Sequence, residues 1–498
     1  MENILNNTDA FDIKIRVPEI EIDEKNPFLN DKLKRDNDVI TMTRIVEAFQ
    51  NGGVLSLNGA WGSGKTIFLK IWKQYLSNKG IPVAYYNAWE DDISEEPLFS
   101  MIKSLKSVSK DESSFDVFVE KAGKFIVGAL FGAVKSVAGF GGKVAADAVK
   151  GGVDQIEKDC IESLKSKDNT TTLLNGFKDS LSEYVTDIAS KGYNIPLVYF
   201  VDELDRCNPT FAVKVLERIK HLFEVKNVVF VLSIDKRQLC HSINGYFGSE
   251  AFDSEEYLMR FIDIEYSISS FVTEDFCSHL LKEQFHLDRT LTDKAANKLI
   301  GYIGTFTSCF NLTCRQTEKV FSLFTVALYR VDDKPFDSTT IKDFNLELLF
   351  YLACLKIYNQ EVFNKIAERI YSVQELVDAL EKMHNDFNRY KRYEGADGKH
   401  IIRTLSLLIC LYDEYIIDSD AISEGHLRPT FNVLPSKSML KYIDDFSEKA
   451  YSCSWDLYPY IEKLRLNNEY EKMQYLTEEI KSTLNRLDVI QPEHKTKK

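Results

Sequence analysis

Eight consecutive residues hold the chemistry most readily recognised in this chain: Gly59, Ala60, Trp61, Gly62, Ser63, Gly64, Lys65 and Thr66. They fit G-x-x-x-x-G-K-[ST], a loop that cradles nucleotide phosphates. Glycines let the backbone curl so that successive N–H groups face inward, and a helix start behind the loop adds a positive dipole end. Lys65 would bridge the β- and γ-phosphates, and the Thr66 hydroxyl would ligate Mg²⁺. Such a loop implies a nucleoside triphosphate and Mg²⁺ as the bound species.

A second candidate group lies far downstream. Residues 195–201 (IPLVYFV) are continuously apolar and end at Asp202 and Glu203. An unbroken apolar run reads as a strand buried on both faces of a parallel sheet, and acidic residues at its carboxyl end lie where open α/β sheets place their chemistry. In this Walker B arrangement Asp202 would hold Mg²⁺, through water, and Glu203 would polarise an attacking water. A further apolar run at 227–235 carries Ser233 and Asp235 at its end. These two are candidate γ-phosphate sensors, with plain strand-end capping as the competing reading.

The elements needed to position these groups are legible nearby. Residues 54–57 read as a short buried strand before the loop. Thr66 to Leu76 reads as an amphipathic helix with Ile67, Phe68, Ile71, Trp72 and Tyr75 on one face. Pro209 is placed to open the helix that follows the acidic pair. Thr43 to Phe49 is expected to form the first helix. Arg260 falls at an expected helix end just before the alternating segment 261–266; it is either a surface arginine or one that reaches a neighbouring molecule's phosphates.

The Pro27-Phe28 to Asp31 segment, the tryptophan-containing loop, Tyr86-Asn87-Ala88-Trp89, the DELDRC string at 202–207, FVLSIDKRQL at 230–239 and EYLMRFIDIEY together resemble the KAP family of P-loop NTPases over about residues 27–325. The resemblance implies an AAA+/STAND-like architecture: an α/β P-loop NTPase core with a mostly parallel sheet, an α-helical lid and an α-helical C-terminal domain. It implies ATP hydrolysis, a homo-oligomer, an arginine finger at Arg260 and, from many bacterial members, a role in phage exclusion or defence alongside proteins encoded nearby. Family members often carry Asn-Pro-Arg in the lid; here the nearest string is Asn311-Leu312-Thr313-Cys314-Arg315, which makes Arg315 a candidate second sensor. A slow-turnover nucleotide-binding scaffold, a membrane-associated signalling protein and a small-molecule phosphotransferase are the competing functional classes.

Expected divisions are a strap over 1–45, the NTPase core over 46–271 with an insert at about 105–180, a lid over 272–340 and a helical domain over 341–498. A chain of 498 residues with 44% hydrophobic and 28% charged residues can build large cores. A net charge of −14 argues against a chain-wide nucleic-acid surface while leaving a local one open; Arg389 to Tyr393 is a small basic–aromatic cluster, read mainly as a solvated helix face. Nine cysteines without C-x-x-C pairs, and a polar, acidic start, predict a reducing cytoplasm. The stretch 123–153 holds eight of the 23 glycines and no acidic residue before Asp147. It reads as a buried or conditionally exposed hairpin, a membrane-contacting segment or an oligomerisation hairpin.

Overall fold

The structure is a computed structural model. It describes residues 20–383 apart from 50, 94–96, 109–112, 123–168, 223–224, 250, 269–271, 291–292, 329–338 and 369, together with Thr404 and Leu408. The glycine-rich stretch 123–153, the cluster at 389–393 and nearly all of the chain beyond 383 lie outside the described residues. Two compact units divide the chain, Ile20–Ser269 and a second that contains Ser270–Lys498.

The first unit is a five-stranded parallel sheet covered on both faces. Its strands are β1 (Gly53–Asn58), β2 (Val83–Asn87), β3 (Leu197–Asp202), β4 (Val228–Ile234) and β5 (Ile264–Ser267), in the order β2-β3-β4-β1-β5. Leaving β1, the chain crosses β4 and β3 to reach the far edge, then works back and finally passes β1 to place β5 beyond it. The phosphate loop therefore follows an interior strand, at a point where connections diverge to either side, and such points open a crevice outside the carboxyl ends of the strands.

Burial explains why the strand sequences are apolar without alternation. On one face Val54, Tyr199, Val201, Phe230 and Leu232 join a cluster with the helices that lead into and out of β3 and β4. On the other, Leu55, Leu57, Val198, Phe200, Val229 and Val231 pack with α1 (Asp36–Ala48) and α2 (Lys65–Asn78). Trp72 of α2 is fully buried, its ring 5.0 Å from that of Phe200, and its indole N–H donates to Thr43 Oγ1 at 3.0 Å.

Helix α1 begins seven residues before the expected start at Thr43. Its opening turn carries Asp36 and Asp38, which suit a helix N-terminus, and Val39, Met42, Thr43 and Val46 recur at helical spacing on its buried side. The polar string Asp36-Asn37-Asp38 masks that period in the sequence. β5 is also shorter than the alternating segment suggests. Asp263, just before it, bonds β1 through its own backbone N–H to Val54 O at 2.9 Å and through its carboxylate from Val54 N at 2.8 Å.

After β2 come α3 (Pro97–Ser104) and, beyond the undescribed stretch, α4 (Asn169–Ser190); α5 (Pro209–Leu222) follows β3, α6 (Lys236–Phe247) follows β4, and α7 (Ser254–Leu258) precedes β5. Pro209 opens α5 at its first position, where a missing N–H costs nothing.

The described part of the second unit is helical: α8 (Glu274–His279), α9 (Leu287–Thr290), α10 (Asp293–Cys309), α11 (Cys314–Leu328), α12 (Thr339–Tyr358), α13 (Gln360–Ala367) and α14 (Val373–Met383). Its core gathers Phe306, Phe310, Phe321, Phe324, Phe350 and Tyr351 around α12. Thr313 and Gln316 form a reciprocal cap at the start of α11. Among the described residues no helix is long and apolar enough to cross a membrane.

Candidate functional site

The phosphate loop turns tightly at the end of β1. Gly64 has φ 85°, a left-handed conformation that disfavours any side chain, and immediately precedes α2. A Cβ on Gly59 would come within 2.8 Å of Ser63 Oγ and 2.9 Å of Ile268 Cγ1, so the loop closes on itself only with glycine there. Lys65 Nζ lies within the curl and donates to Gly59 O at 2.6 Å. Burial lowers the Lys65 pKa, while Asp205, Asp235 and Asp202 oppose that shift.

Three side chains outside the octet hold the loop. Arg35, 5% exposed, donates from Nη2 to Ser63 O at 2.5 Å and from Nη1 to Gly64 O at 3.4 Å. The Asp235 carboxylate accepts from Trp61 N at 3.1 Å with one oxygen and caps α6 through Gln238 N at 3.3 Å with the other. The Trp61 indole N–H donates to Asp205. Asp205 is buried; desolvation raises its pKa, opposed by Lys65 and by the Trp61 bond.

Asp202 ends β3 fully inside the unit. Its Oδ2 accepts from Tyr85 OH at 3.0 Å and its Oδ1 from Glu203 N at 3.0 Å. Burial, then the charge of Asp202, drives the Tyr85 phenol pKa upward, so Tyr85 stays a donor. Glu203 sits at φ 61°, in the left-handed region where a non-glycine residue is uncommon. Desolvation raises the Glu203 pKa; the Arg206 guanidinium, at 2.6 Å from Oε1, works against that.

Pairing aligns Asn87, Asp202, Ser233, Leu57 and Tyr266 in one row across all five strands. β4 thus stands between the loop strand and the acidic strand. Neighbouring strands lie about 4.8 Å apart, so the two are separated by about 9.6 Å, with Ser233 midway. Ser233 is fully buried, and neither its hydroxyl nor that of Ser63 has a hydrogen-bond partner. A buried hydroxyl left without a partner is costly, which suits both to an incoming polar group. Beside the loop, a cleft of about 540 Å³ is lined by Trp61, Trp89, Asp205, Arg206, Gln238 and His241.

The sheet unit therefore brings the octet, Asp202, Glu203, Ser233 and Asp235 to one end. Asp235 acts on the loop backbone and on α6, the capping side of its two readings; Ser233 caps nothing. Arg260 is exposed on the same unit, two residues beyond α7, 3.6 Å from Glu256 in an ion pair. Arg315 belongs to the second unit, exposed in the first turn of α11, where its charge opposes the burial-driven rise of the Glu318 pKa. Arg35, Tyr85, Asp205 and Arg206 carry no individual role in the sequence reading. The last two lie in the DELDRC string, and Arg35 follows the Pro27–Asp31 segment with no motif of its own.

A glycine-rich loop between an interior parallel strand and a helix, facing an Asp–Glu strand end, defines a P-loop NTPase. The family model described as the KAP family P-loop domain matches residues 38–348, more than half of the chain, and the protein belongs to that family. Among solved structures it is similar to the ORC2 protein of Aeropyrum pernix, solved as ADPNP–ADP complexes, with 12% identity, 88% of each chain covered and a TM-score of 0.32. No curated protein sequence matches.

Proposed function

We propose that this protein binds ATP with Mg²⁺ and hydrolyses it, and that the cycle drives an oligomeric switch. The observation that carries the reading is the placement of Asp202 and Glu203 at the end of β3, across Ser233 from the phosphate loop. Polyphosphate lying along the loop would extend toward the end of β4, where the unpartnered Ser233 hydroxyl can donate to the γ-phosphate. Lys65 and the loop N–H groups neutralise the β- and γ-phosphate oxygens.

The residues present fit magnesium. Asp202 and Thr66 supply the hard oxygen donors it prefers, and one or two protein groups suffice because the ion keeps waters and phosphate oxygens. When bound, the ion supplies charge against the phosphate oxygens. Glu203 orients the attacking water. The water oxygen bonds the γ-phosphorus, the bond from that phosphorus to the bridging oxygen breaks, and its electron pair leaves with ADP. The water proton passes by way of Glu203 to the released phosphate.

Arg260, exposed on the surface, is available to a neighbouring copy's phosphates, and Arg315 is the proposed second sensor from the helical unit. The biological output, antiviral defence with partner proteins and a contact made by 123–153, rests on family resemblance and on the composition of that stretch. Phosphate release from ATP by the wild type and Lys65→Ala, each with Mg²⁺ and with a chelator, tests the core of this reading. Only wild type with Mg²⁺ should turn over; equal release by Lys65→Ala would refute it. Mass measured with and without ATP tests the oligomer, and an unchanged monomer in both conditions would remove the switch.

A further inference from the structure

After β3, Glu203 immediately precedes and Arg206 ends a single turn of 3₁₀ helix, Leu204–Arg206. Arg206 Nη1 meets Glu203 Oε1 at 2.6 Å. The guanidinium also lies 5.7 Å from the centre of the Trp89 ring, within the range in which an aromatic face attracts a cation. Trp89 is itself placed by the turn after β2: its backbone N–H donates to Asn87 Oδ1 at 3.1 Å, and Asn87 Nδ2 donates to Glu90 Oε1 at 2.9 Å. The same turn is fastened to the far side of the acidic string, where Asn208 N donates to Asp92 Oδ2 at 2.9 Å. Arg206 is therefore gripped between an anchored ring and the carboxylate, and the chain from β2 through Trp89 and Arg206 ends on Glu203.

The ion pair uses one carboxylate oxygen, Oε1, and the Asn87 side chain also hydrogen-bonds the carboxylate. A glutamate has three side-chain torsions to fix, and a water-orienting group that wanders by an ångström loses much of its effect. A planar guanidinium held on a ring face is a directional clamp that an ammonium cannot reproduce in full.

We propose that Arg206 is a positioning residue for ATP hydrolysis: held by Trp89, it grips one oxygen of the Glu203 carboxylate and so fixes, together with Asn87, the group that orients the attacking water. The proposal rests on the hydrolytic reading above. It assigns Arg206 no contact with nucleotide, so its loss should leave ATP binding intact.

The test is a double-mutant cycle on the full chain, with ATP affinity measured separately from single-turnover hydrolysis. Arg206→Ala should lower the hydrolysis rate about tenfold or more with ATP affinity unchanged. Arg206→Lys should fall between the two. Trp89→Ala should slow hydrolysis and Trp89→Phe should restore most of it; Trp89 is 52% exposed, so neither change opens the core. In a Glu203→Gln background Arg206→Ala should add almost nothing. Multiplying effects of the two substitutions would overturn the proposal by showing that Arg206 acts apart from Glu203. A parallel loss of ATP affinity, or a rate unchanged or raised by Arg206→Ala, would overturn it as well. If the wild type hydrolyses no ATP, the hydrolytic reading itself fails, and that result is distinct from all of these.

Discussion

The indole N–H of Trp61 donates to the carboxylate of Asp205, joining the second variable position of the phosphate loop to the acidic string 144 residues later. Both partners gain: an exposed tryptophan, 45% accessible, orders the loop, and a buried carboxylate receives a donor. Trp61→Phe keeps the ring and removes the donor. It should cost about 1–3 kcal/mol of stability, because the buried carboxylate loses a partner, and weaken ATP binding. Denaturant unfolding and ATP titration check this; a variant matching wild type in both would show the bond to be incidental.

Arg35 grips the loop through the carbonyls of Ser63 and Gly64. With Arg35→Ala the last turn before α2 loses its brace. ATP affinity should fall about tenfold, equivalent to about 1.4 kcal/mol, more than for Arg35→Lys. Calorimetric titration with ATP would show it, and equal affinities for all three proteins would contradict the role.

Glu203 occupies a left-handed backbone position that glycine adopts without strain. Glu203→Gly and Glu203→Ala both delete the carboxylate and its ion pair with Arg206. The glycine variant should be the more stable of the two by about 1 kcal/mol, and both should fail to hydrolyse ATP. Thermal unfolding of the pair decides; an alanine variant at least as stable as the glycine one would mean the backbone relaxes elsewhere.

Thr43 and Trp72 are joined where α1 and α2 pack beneath the sheet. Thr43→Val should leave the buried indole N–H without an acceptor, at a cost of about 1–3 kcal/mol. Thr43→Ser should recover most of that. ATP hydrolysis per folded molecule should stay at the wild-type value for both, since neither side chain reaches the phosphates. A fall in specific activity matching the stability loss would show that this contact shapes the loop.

The sequence made some of this legible and concealed the rest for physical reasons. β3 and β4 stood out because a strand covered on both faces has no polar positions, as Val198 through Val201 and Val229 through Leu232 illustrate. The octet stood out because only glycine permits its turns. Arg35 was invisible because it binds backbone carbonyls, which leave no pattern in the side chains they belong to. The start of α1 was obscured by three polar residues, two of which, Asp36 and Asp38, place negative charge in its first turn. The row Asn87–Asp202–Ser233–Leu57–Tyr266 depends on strand order, which local pattern does not encode. Nor does local pattern encode the strained backbone at Glu203.

Glu203→Gln is the most direct probe of the hydrolytic reading. It preserves the shape of the side chain and removes the charge that orients water. Incubation of wild type and Glu203→Gln with radiolabelled ATP and Mg²⁺, followed by separation of bound and released nucleotide, gives the answer in one assay. Wild type should release ADP and phosphate, while Glu203→Gln should retain intact ATP and turn over at least about a hundredfold more slowly. Hydrolysis by Glu203→Gln at the wild-type rate would contradict the assignment of this site.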